Sequence, residues 1–119
     1  MIGWGVAAAL GAVLGSLARY ALSLVVPAVN GFPLATLTVN LIGALAIGFV
    51  AQRPQVMQRD LARHFVVTGV LGGFTTFSAL ALDTVTLVQR QPVVAAGYVL
   101  ITFAGGLIAT HVGWRAAQR

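Results

Sequence analysis

Apolar residues fill four long runs of the chain, and polar residues collect in the short stretches between them. The first run extends from Ile2 to about Val25. Asn30-Gly31 then supplies a turn, and Pro33 suits the first turn of a new helix. The second run covers Leu34 to Ala51 and stops before Pro54, because a residue that precedes proline is pushed out of the helical region. The most polar stretch is "QRPQVMQRDLARH", Gln52 to His64, which reads as an interfacial loop. Asp60 is the expected N-cap of the third run, Leu61 to Gln89. Gln91-Pro92 opens the fourth, Pro92 to Trp114. A helix of ~20 apolar residues crosses a hydrocarbon core of ~30 Å. The pattern therefore predicts an all-α integral membrane protein, residues 1–119 forming a single four-helix transmembrane domain.

The third run does not fit one straight helix. Its roughly 29 residues would span ~44 Å at 1.5 Å per residue. Within it, "LGGFTTFSAL" (Leu71 to Leu80) carries two glycines, two threonines and a serine. Gly72 lies roughly 16 Å into the run, near the midplane. Irregular backbone at that depth is tolerated only where protein or a polar cavity covers it. A break near 72–76 is expected, and broken helices offer free carbonyls and amides to ions. The competing reading is a glycine kink whose threonines bond back to the preceding turn.

Composition settles the solvent. Hydrophobic residues make up 59% of the chain and charged residues 8%, and the mean hydropathy is +0.95. A soluble domain carries about 25% charge. The absence of cysteine excludes disulfides and thiolate metal sites. The net charge of +5 comes from arginines at segment ends, which argues for orientation in a lipid bilayer and against nucleic acid. Four crossings put Arg53, Arg59, Arg63, Arg115 and Arg119 on one face, and Arg19 and Arg90 on the other. The richer face is expected to be cytoplasmic. The first run lacks a basic leader and further apolar runs follow, so it reads as a membrane helix and not as a cleaved signal. Trp4 and Trp114 suit interfacial belts.

Small and polar residues inside the runs carry the candidate chemistry. Ala7, Gly11 and Gly15 fall four apart, with Arg19 next in the row. Gly69 and Gly73 repeat the spacing, and such rows let helices approach closely. Asn40 sits mid-run in the second segment, one turn beyond Thr36, as helix glue or as a donor. Tyr98, Thr102, Gly106 and Thr110 share one face of the fourth helix. That track offers donors without positive charge, which suits a small anion or water. No Ser-His-acid set and no His/acid cluster exists, so an enzyme is not expected.

Three stretches, "GAVLGSLARY", "LATLTVNLIGALAIGF" and "GVLGGFTTFSALALD", resemble the Fluc (CrcB-type) fluoride channels, and the likeness runs through all four segments. The resemblance implies a passive fluoride-selective channel in a bacterial or archaeal cytoplasmic (inner) membrane. It implies an antiparallel, dual-topology homodimer with two pores and a central structural Na+. The sodium ligands would be the main-chain carbonyls of Gly72 and Thr75. The anion pathway would hold Asn40, Phe77, Ser78, Tyr98, Thr102 and Thr110. Arg19 and Asp83, the latter where Glu is usual, would line a vestibule or pair near one membrane face. Leu80 departs from the family, standing where a second pore phenylalanine is expected, so the partner's Phe77 would face Leu80. Two alternatives are a proton-coupled exporter of the small multidrug-resistance type and a non-transporting membrane subunit. The exporter needs an acid in the first helix, and residues 2–26 hold none.

Overall fold

The computed structural model describes residues 1–119. The chain is helical throughout, apart from one isolated bridge between Val29 and Phe32. Helix α1 (Ile2–Val25) is followed by α2 (Leu34–Val50) and a short α3 (Pro54–Met57). The third apolar segment, Asp60–Arg90, is built from α4 (Asp60–Arg63), a π-helical stretch (His64–Leu71), α5 (Gly72–Phe74) and α6 (Phe77–Arg90). Helix α7 (Pro92–Ala117) completes the chain. Ile2–Val25, Asp60–Arg90 and Pro92–Ala117 are long and apolar enough to cross a membrane, and Leu34–Val50 is a shorter apolar helix.

Turn chemistry sets the joints. Asn30 and Gly31 both take positive φ, 51° and 79°. A two-residue turn with that geometry demands residues that tolerate the left-handed region, which Asn and Gly do. Pro92 occupies the first turn of α7, where its missing N–H costs nothing. Asp60 is not the N-cap of its segment. Arg59 holds that position, and Asp60 is the first helical residue. Its carboxylate still lies at the positive end of the helix and pairs with Arg63 at 2.9 Å.

Glycines bring the helices together in two pairs. Ala7, Gly11 and Gly15 form the buried stripe of α1. A Cβ on Gly11 would strike the Phe65 carbonyl oxygen, and one on Gly15 the Val70 carbonyl oxygen. From the other side, Cβ atoms on Gly69 and Gly73 would approach Ala8 and Ala12 carbonyl oxygens at 2.7 and 2.5 Å. The same holds for α2 and α7, where Gly48 meets Thr110 and Gly113 meets Leu45 and Phe49. Residue numbers rise together in both pairs, so each pair is parallel. That is the arrangement expected when odd and even segments run in opposite directions.

Only 14 residues are buried. They include one apolar cluster of Leu80, Leu87, Ala95 and Tyr98, with Phe32, Leu37 and Val94 packed on it. Leu10, Leu17, Leu24, Leu100, Leu107 and Ile108 are each more than half exposed. Apolar surface on this scale needs lipid or another protein to cover it.

These contacts separate packing glycines from dispensable ones. Gly15→Val places methyls against backbone that cannot turn aside, and a stability loss of about 1–3 kcal/mol is expected. Gly97→Ala meets open space and is expected to be neutral or slightly stabilising. Thermal unfolding in detergent checks both. Equal stability of the two variants would contradict the close approach.

Candidate functional site

The polar groups of three helices converge on residues 73–76. Thr75 is extended, with ψ 156°, and so is Thr76, with φ −147° and ψ 116°. A continuous helix would direct the Thr76 N–H to the Gly72 carbonyl. Here Thr76 N–H donates to Asn40 Oδ1 at 2.8 Å, and Asn40 Nδ2 donates to the Thr76 carbonyl at 3.1 Å. One side-chain amide thus satisfies both main-chain groups of a nearly buried residue. Thr75 Oγ1 donates back to the Leu71 carbonyl at 2.9 Å. Thr76 Oγ1 caps α6 by accepting from Ala79 N–H at 3.1 Å. From α1, Ser16 Oγ donates to the Gly73 carbonyl and Arg19 Nη1 to the Thr75 carbonyl, both at 3.3 Å. Gly43 of α2 leaves the space that Thr75 Cγ2 fills.

Two cavities flank this stretch. One, of about 530 Å³, is lined by Ser16, Arg19, Ser23, Thr36, Thr76 and Ser78 among others. Its polar wall is made of hydroxyls and a single guanidinium, with no acid, so it favours an anion. The second, of about 330 Å³, is lined by Asn40, Gly43, Gly72 and Thr75 with apolar neighbours. Gly72 is exposed there, and its carbonyl has lost its usual helical donor. The chain holds no cluster of His, Asp or Glu able to bind a metal ion. A cation at this second cavity would therefore depend on neutral oxygens, from the main chain or from the Asn40 and Thr75 side chains.

The residues singled out in the sequence divide into groups. Asn40, Thr75, Ser78 and Arg19 meet around the extended pair. Tyr98 and Thr102 lie deeper, both buried in α7. Their protons are already engaged. Thr102 Oγ1 donates to the Tyr98 carbonyl at 2.8 Å, and Tyr98 OH donates to Asp83 Oδ2 at 3.4 Å. Thr110 Oγ1 donates to the Ala44 carbonyl at 3.1 Å, which ties α7 to α2. A hydroxyl has one proton, so each must leave its present acceptor to serve an anion. Arg19 and Asp83 do not pair within the protomer. Arg19 turns to the Thr75 carbonyl and Asp83 to Tyr98.

Phe77 and Leu80 differ sharply. Phe77 is 75% exposed at the start of α6, whereas Leu80 is 6% exposed and packs in the cluster with Tyr98. Three residues on, Leu80 lies about 60° round the helix from Phe77, where the Leu87, Ala95 and Tyr98 cluster covers it. Ser16 and Ser23 were missed in the sequence. Both stand at helical spacing from Arg19, three before and four after it, and that common face is the signal that marks them.

The match to known proteins covers most of the chain. The family described as "CrcB-like protein, Camphor Resistance (CrcB)" matches residues 6–114. A protein named fluoride-specific ion channel FluC from Helicobacter pylori (strain HPAG1) is 46% identical over 118 residues, covering 93% of this chain and 90% of the relative. Proteins of the same name from Paracoccus denitrificans (strain Pd 1222) and Roseiflexus sp. (strain RS-1) are 46% and 45% identical. They cover 88% and 91% of this chain, and 86% and 91% of their own lengths. With its apolar helices and this similarity along nearly its whole length, the chain is a multi-pass membrane protein of the CrcB-like family.

Proposed function

We propose that the protein is a passive fluoride channel of the cytoplasmic membrane, with two pores in an antiparallel homodimer. Beyond the family, the observation that carries this reading is the acid-free cavity of hydroxyls and one guanidinium beside Thr76. Fluoride is small and holds water tightly, so a pore must offer donors in place of that water. Three sets of donors are near at hand. Arg19 commits one of its five N–H groups to Thr75. Asn40 Nδ2 retains a second N–H. Ser78 Oγ lies 3.3 Å from Thr76 Oγ1, a weak contact in which either hydroxyl can donate. Arg19 would concentrate the anion in the cavity, and its bond to a carbonyl would moderate how tightly it holds one. Tyr98, Thr102 and Thr110 would serve further along by rotating their hydroxyls away from present acceptors. An exporter of the small multidrug-resistance type lacks its essential carboxylate here, since α1 contains no acid.

A sodium ion on the dimer axis is part of the proposal. The donor set fits in one respect and resists in another. Gly72 is an exposed residue whose carbonyl lacks its helical donor, whereas the Thr75 carbonyl accepts from a cation, Arg19. That oxygen would have to serve sodium with its second lone pair, beside the positive charge of Arg19. Two carbonyls per protomer would then give the ion four ligands in the dimer, a hard-oxygen environment suited to it. Bound sodium would hold the two extended stretches together. Exchanging sodium for N-methylglucamine is expected to lower the thermal unfolding temperature of the purified dimer. An unchanged temperature would remove the sodium.

Liposomes containing the purified protein are expected to release fluoride down its gradient, electrogenically and without a proton gradient. A fluoride electrode reads the efflux. Release that appears only under an imposed pH gradient would reject the channel.

Phe77 supplies the sharper expectation. Its ring is mostly outside the protomer's own packing, so Phe77→Ile is expected to cost no more than about 0.5 kcal/mol of stability. If the polarised ring edge of one subunit faces the anion of the other's pore, flux per folded dimer falls about ten-fold, a barrier increase of ~1.4 kcal/mol. Near-normal flux in a well-folded Phe77→Ile protein would remove the ring from the pathway.

A further inference from the structure

An apolar groove of about 700 Å³ lies against α1, away from both cavities of the candidate site. Val6, Ala7 and Leu10 form one wall, and Leu61, Ala62 and Phe65 form the other. Gly3 lies at its edge, where even a Cβ would touch only Leu61 Cδ1, at 4.0 Å. One charged residue, Arg59, lines it.

Arg59 is the unengaged cation of its loop. Arg53 lies over the Phe49 ring at 4.2 Å, and Arg63 pairs with Asp60 at 2.9 Å. The exposed side chain of Arg59 makes no hydrogen bond or ion pair; only its main chain is tied, at the N-cap of α4. The groove's depth is marked too. Trp4 stacks on His64, centroids 5.3 Å apart and planes 10° off parallel. Trp4 directly follows the groove residue Gly3 and His64 directly precedes Phe65, and tryptophan prefers the headgroup level. Leu10 and Phe65 then lie further in, Leu10 about 9 Å beyond Trp4 along α1. Apolar walls in the hydrocarbon and a free cation at the headgroup level complement one kind of molecule.

We propose that this groove seats an acyl chain of an anionic phospholipid, whose phosphate rests on Arg59. A lipid of net negative charge is favoured over a zwitterionic one because this end of the fold is rich in cations. Arg115 and Arg119 share it, and its one acidic side chain, Asp60, is already paired. Basic pockets beside membrane helices select anionic headgroups by this attraction.

Trp4 is the built-in probe. In a Trp114→Phe background the dimer is placed in nanodiscs of phosphatidylcholine, with increasing brominated phosphatidylglycerol or brominated phosphatidylcholine. Bromine quenches Trp4 when its lipid occupies the groove. Phosphatidylglycerol is expected to associate about five-fold more tightly, the factor one arginine near an anionic surface supplies. High salt is expected to shrink the preference. Arg59→Gln is expected to bring the ratio close to one, while Arg115→Gln leaves it unchanged. Equal quenching by the two lipids, a preference that survives Arg59→Gln, or an equal loss in Arg115→Gln would overturn the site. So would the absence of quenching by either lipid, which would mean that a second copy or another protein segment covers the groove.

Discussion

The reciprocal pairing of the Asn40 amide with the main chain of Thr76 is the interaction on which the site depends. Two extended residues deep in an apolar helix leave an N–H and a carbonyl without helical partners. In hydrocarbon such groups cost several kcal/mol each. Asn40 meets both, at 2.8 and 3.1 Å. Because it does so from a neighbouring helix, the stretch is held in register with α2 as well as satisfied. Ser16 and Arg19 bind the carbonyls of Gly73 and Thr75 from α1. The interrupted segment is therefore clamped from two sides by side chains that also border the cavities.

Close helix packing makes those bonds geometrically possible. Gly15 and Gly73 allow α1 to approach within reach of the extended stretch, and Gly43 admits the Thr75 methyl. Any larger residue would push the donors away from their acceptors. The same packing explains the economy of the core. Few side chains are buried, and much of the protomer's stability in lipid rests on backbone contact and hydrogen bonds. What remains outside, Phe77 above all, is surface for lipid or a second copy.

The helical segments were legible because lipid leaves a chain few choices. Apolar runs of about 20 residues, ended by Asn-Gly and proline, read as helices almost without ambiguity. The α1 stripe of Ala7, Gly11 and Gly15 was legible for a similar reason, since small residues four apart have one common use. The cap at Arg59 was not. Asp60 has the better capping chemistry, yet it serves equally well one position later, beside the helix dipole and Arg63. The π-helical stretch from His64 to Leu71 has no signature in residue type. Hydroxyl partners were hidden for a deeper reason. Thr102 and Thr110 stand on the same helical face as a donor track would require, but one bonds its own helix and the other bonds α2. Spacing fixes a direction and does not identify the acceptor. Leu80 illustrates the same limit, because only the packed fold reveals that it sits against Tyr98 while Phe77 points out.

The clamp at Thr76 is tested most directly by residue-resolved amide hydrogen exchange across residues 72–78, in the parent protein and in Asn40→Leu. In the parent the Thr76 amide should be protected, although it is not helical and lines a polar cavity. Without the Asn40 acceptor, its exchange should quicken by about ten-fold or more, as the loss of a ~1.4 kcal/mol hydrogen bond requires. Protection in α2 and α7 should persist. A Thr76 amide equally protected in both proteins, or equally unprotected in both, would contradict the account.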